Sequence, residues 1–168
     1  LAQNIPEYAR AEKAMKNPLR PSLVTGLAGI HKAHLLSRLA LCGEAPILVI
    51  TKSEADAVRL VSDINTFSGE ERAVLFPAKD MILGETEAVS GEYTYRRIDA
   101  LYKLSQGLVP MAVCSPDSAV QLTLPKKTLL ANSVTLKKGE EYNLTELVQK
   151  LINAGFSRFE AVESRGQI

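Results

Sequence analysis

Apolar positions recur at helical spacing in several stretches and bunch into short continuous runs between them. Pro6 to Lys16 predicts an amphipathic helix with Tyr8, Ala11, Ala14 and Met15 toward one side, ended by Asn17-Pro18 and Arg20-Pro21. Ile30 to Leu41 predicts a second, with Leu35, Leu36, Leu39 and Ala40 as its buried face and Gly43 as its stop. A third starts from a Thr51 or Ser53 cap, carries Ala57, Leu60, Val61 and Ile64, and closes at Phe67-Ser68-Gly69. A fourth spans Tyr93 to Gln106, with Tyr95, Ile98, Leu101, Tyr102 and Leu104 inward. Between them lie strand patterns at Ser22 to Thr25, Pro46 to Ile50, Ala73 to Phe76 and Pro110 to Ser115. The run Pro-Ile-Leu-Val-Ile at 46–50 reads as a strand covered on both faces. Pro77 to Gly91 lacks periodicity and reads as a long surface loop, and Ser115-Pro116-Asp117 starts a short helix.

Strands alternating with helices imply parallel βαβ units, so the expected fold class is α/β with a parallel sheet, over residues 1–126. The pattern then changes. Ser133 to Lys137 alternates like a half-exposed strand, and Lys138-Gly139-Glu140 is a turn. Asn143 caps a helix with Glu146 at capping-box spacing; its apolar face is Leu144, Leu147, Val148, Leu151 and Ile152. Phe156 to Val162 reads as a further strand, and Glu163 to Ile168 as the start of an unfinished hairpin. Residues 127–168 are therefore expected to be the beginning of a second, truncated α+β module, in a chain that stops inside a larger protein.

Bulk properties narrow the function classes little. Of the 168 residues 46% are hydrophobic and 23% charged, as in ordinary globular proteins. A net charge of +1 gives no argument for nucleic acid or an anionic membrane. No run approaches a membrane span and the start lacks a signal-peptide pattern, so a cytoplasmic location is expected. Cys42 and Cys114, far apart in apolar surroundings, read as buried free thiols, and no Cys/His pattern suggests zinc.

The chemistry concentrates in Val24-Thr25-Gly26-Leu27-Ala28-Gly29-Ile30-His31-Lys32-Ala33. A phosphate-binding loop reads G-x-x-x-x-G-K-[ST] between a strand and a helix. Gly26 and Lys32 keep that spacing, but His31 replaces the second glycine and Ala33 the Ser/Thr. A Cβ at 31 obstructs the backbone's curl around phosphate. Alanine at 33 offers no oxygen to magnesium. The stretch Gly26, Gly29, His31, Lys32, Ala33 therefore reads as a relic phosphate loop, with an ordinary strand-to-helix turn as the alternative, and no cofactor is expected.

Other candidates have plainer readings beside them. Lys32 is a phosphate ligand or a solvated lysine at a helix start. His31 and His34 have a spacing some metal ligands use, but no third ligand is in view. Asp117 fits a helix N-terminus better than a catalytic role. Arg96-Arg97 reads as a solvated or salt-bridged face, with a nucleic-acid contact as the alternative. Arg158, Glu160 and Arg165 either meet a partner or guard a strand edge. No catalytic Ser/His/Asp, Cys/His or carboxylate pairing is visible.

Taken in order, the motifs resemble the N-terminal, UvrB-homology region of the bacterial transcription-repair coupling factors (Mfd). The resemblance runs through Val24-Thr25-Gly26-Leu27-Ala28-Gly29, Pro46 to Thr51, Leu75-Phe76-Pro77, Arg97 and Leu101, and Met111 to Pro116. It continues through Leu136 to Gly139, Leu147, Leu151, Ala154-Gly155-Phe156 and Val162 to Gly166. It implies a helicase-like first domain with a decayed nucleotide site, so no enzyme activity here, and a second module, from near Asn132, that recruits the excision-repair protein UvrA. It also implies contact with other domains of the same parent chain. DNA and RNA polymerase would be engaged only through that parent, an ATP-dependent DNA translocase, and no membrane is involved. An active P-loop NTPase or helicase domain is the alternative. It would need a magnesium ligand and a Walker-B acidic pair that these residues do not supply.

Overall fold

The computed structural model describes residues 5–16, 21–42, 45–78 and 92–168. They form two compact units, Leu1–Gln121 and Leu122–Ile168. The first is α/β, built on a three-stranded, wholly parallel sheet of β1 (Ile47–Ile50), β2 (Ala73–Leu75) and β3 (Met111–Cys114) in the order β1-β3-β2. Ile47 pairs with Met111 and Ala73 with Met111, so β3 is bonded on both sides. All four of its residues are buried.

Helices cover both faces. On one, α2 (Gly29–Leu39) and α3 (Glu54–Ser68) pack Ala33, Ala57 and Ile64 against Ala73, Met111 and Val113. On the other, α4 (Glu92–Ser105) packs Ala100 with Val74, Phe76, Ala112 and Cys114. A third cluster joins Tyr8 of α1 (Pro6–Met15) to Leu35 and Leu39 of α2. The third helix shows how local chemistry sets its bounds. Of the two expected caps, Ser53 is the one used, accepting from the Asp56 amide at 3.2 Å. Gly69 ends the helix in the left-handed region at φ 72, where a Cβ would be strained.

Several expectations change. Ser22 to Thr25 forms no strand, because nothing pairs with it among the described residues. Among the described residues β1 is an edge strand, and it is not covered on both faces; Ile47 and Val49 pack inward while Leu48 and Ile50 are exposed. Arg97 replaces the expected solvated arginine with a buried one. The expected loop at 79–91 lies outside the described residues, as do Asn17-Pro18 and Gly43. Among the described residues, no helix is long and apolar enough to cross a membrane.

The second unit contains α6 (Lys126–Ala131), which follows the short α5 (Pro116–Ala119), and α7 (Leu144–Asn153). The sequence boundary at 126/127 falls at the start of α6. Asn143 caps α7 as its pattern predicts, accepting from the Thr145 and Glu146 amides. Ser133 to Lys137 and Phe156 to Val162 form no strands. An isolated parallel bridge, Ser157 to Gln167, stands where a hairpin was expected.

Candidate functional site

The relic loop lies along a groove of about 1050 Å³ in the first unit. Val24 to Leu27 and the start of α2 line one side; Val49 to Lys52 of the β1 end and Asp56, Arg59 and Asp63 of α3 line the other. A groove at the C-terminal end of a parallel strand is where α/β sheets gather ligands.

Gly26 sits at φ 80, a left-handed conformation that suits glycine, with open space around it. The helix then begins at Gly29, capped by Ala28 without a side-chain hydrogen bond. The Lys32 amide already bonds to the Ala28 carbonyl at 3.2 Å. A phosphate-cradling loop keeps its backbone uncoiled as far as the lysine; here that span is spent on the first helical turn. His31 and Lys32 are exposed, and Lys32 lines the groove. Ala33 does not: it is 0% exposed, inside the core formed by α2, α3 and the sheet. The structure therefore brings Gly26, Gly29 and Lys32 to one groove and separates Ala33 from them.

The groove's electrostatics are mixed. Lys32, Lys52 and Arg59 stand with Asp56 and Asp63. The Ser53 hydroxyl, donating to Asp56 at 2.7 Å, holds that carboxyl below its ordinary value, with Lys52 and Arg59 assisting. Such a lining offers weak attraction to an anion at the helix start, with carboxylates on the facing wall.

His34 is tied up elsewhere. The Tyr8 hydroxyl lies 3.0 Å from its Nδ1, and its ring is 5.1 Å from that of Phe67. No group of three His, Cys, Asp or Glu side chains able to hold a metal occurs among the described residues. In the second unit Arg158, Glu160 and Arg165 are all exposed on the irregular segment around the Ser157 to Gln167 bridge. With no strand there, they do not share the alternating face the sequence implied.

A polar node was missed. Arg97 Nη1 donates to the Pro77 carbonyl at 2.6 Å and to Ser118 Oγ at 2.9 Å. Its guanidinium lies 4.0 Å from the Phe76 ring centroid, and its Nη2 has no hydrogen-bond partner among the described residues. Burial pushes its pKa down. Arg96 is the solvated member of the pair, bonded to Glu92 at 2.9 Å. One signal could have separated them: Arg97 shares the i, i+3, i+4, i+7 stripe with Ala100, Leu101 and Leu104, whereas Arg96 does not. Ser118, at 0% exposed, donates to the Phe76 carbonyl at 2.7 Å, so the node fixes the exit of β2 to α4 and α5.

No protein-family model matches the chain. Among curated proteins it is similar to the transcription-repair-coupling factor of Bacillus subtilis, 25% identical over 150 residues, or 89% of the chain and 13% of that protein. The transcription-repair-coupling factor of Staphylococcus aureus strain USA300 is 25% identical over 146 residues, covering 87% of the chain and 12% of that protein. That of Staphylococcus haemolyticus is 24% identical over 145 residues, covering 86% and 12%. The chain thus spans about an eighth of the length of the curated relatives it matches. These relatives support a distant relationship to one region of the transcription-repair-coupling factors.

Proposed function

We propose that this chain is a non-catalytic interaction region of a transcription-repair coupling factor, similar to UvrB, that recruits the excision-repair protein UvrA to stalled RNA polymerase. The observation that carries it is the similarity to such factors along 89% of the chain. The site geometry supports the non-catalytic half. The helix starts early at Gly29, His31 occupies the glycine position, and position 33 faces the core rather than the groove. A nucleotide bound there would find Lys32, but position 33 offers no hydroxyl for its magnesium. Partner binding is assigned to the second unit, where Arg158, Glu160 and Arg165 are exposed.

Two measurements test the two halves separately. Calorimetric titration of the chain with magnesium-ATP to millimolar concentration should give no heat of binding. A pull-down with UvrA, using a form of the protein extended past Ile168, should retain UvrA. A second reading, a nucleotide-binding domain, draws on Gly26 at φ 80 and on Lys32 in the groove. Saturable ATP binding lost on Lys32→Ala would establish that reading instead.

A further inference from the structure

We draw no further inference here: the strongest candidate, the apolar face of α7 in the second unit, is left exposed at Leu144 and Ile152, and nothing in the structure shows what covers it.

Discussion

Arg97 donates to the Ser118 hydroxyl at 2.9 Å with both side chains buried, and it forms no ion pair among the described residues. The charge is held by a hydroxyl, the Pro77 carbonyl and the Phe76 ring. Losing one partner of a buried charge leaves that charge poorly compensated, at a cost of about 1–3 kcal/mol, so Ser118→Ala should lower stability by that amount. Arg97→Ala adds a cavity and should cost about 2–4 kcal/mol. Arg97→Met fills the space and removes the unpartnered Nη2, so it should stay within about 1 kcal/mol of the parent. Urea unfolding midpoints rank the three.

Restoring the phosphate-loop consensus should harm the fold without creating a site. Ala33 is fully buried among apolar groups, so the hydroxyl of Ala33→Thr would enter the core unpaired, costing about 1–3 kcal/mol. The double variant His31→Gly with Ala33→Thr should still give no heat with magnesium-ATP. Saturable binding by that variant would show that position 33 can turn toward the groove.

Two glycines should respond with opposite signs. Gly69 caps α3 at φ 72 in open space, so Gly69→Ala suffers backbone strain alone and should cost about 1 kcal/mol. Gly29 is the first residue of α2 and also has open space, and its φ is not positive. Gly29→Ala should stabilise by about 0.5 kcal/mol through the unfolded chain's lost freedom. Thermal and urea unfolding together check both.

The α1 to α2 contact should weaken in acid. Arg38 Nε donates to Glu12 Oε1 at 2.6 Å and holds that carboxyl below its ordinary value of 4.5. A depressed carboxyl pKa in the folded state contributes stability that is present above the unfolded value and lost as pH falls through the folded one. Stability should therefore drop as pH falls below about 4.5, and Glu12→Gln should flatten that part of the profile. Unfolding midpoints of the two proteins across pH 6 to 3 measure the difference.

The second unit should exchange its amides faster than the first. The seventh helix buries none of its residues, and Leu144 and Ile152 are 71% and 40% exposed. By contrast β3 is wholly buried. Helical stability comes mainly from packing an apolar face, so residues 144–153 should lose protection well before Met111–Cys114. Uniform protection across both would contradict this.

What the sequence determined by itself is what neighbours along the chain can settle. Ser53 and Gly69 bound α3 through hydrogen bonds and φ angles within a few residues, and Asn143 starts α7 in the same way. The apolar runs at 47–50, 73–75 and 111–114 made a parallel α/β sheet legible, and the loop's missing glycine and hydroxyl were visible as residue identities. Tertiary structure decided everything that depends on a distant partner. Ser22 to Thr25 has the composition of a strand, but a strand exists only where another bonds to it. The run at 47–50 reads as doubly covered, yet its place at the sheet edge leaves Leu48 and Ile50 open. Arg96 and Arg97 are adjacent in sequence, and only the packing of α4 over Phe76 sends one to solvent and buries the other. Ala33 likewise belongs to the motif by spacing and to the core by position, because a helix beginning at Gly29 turns that side chain toward the sheet.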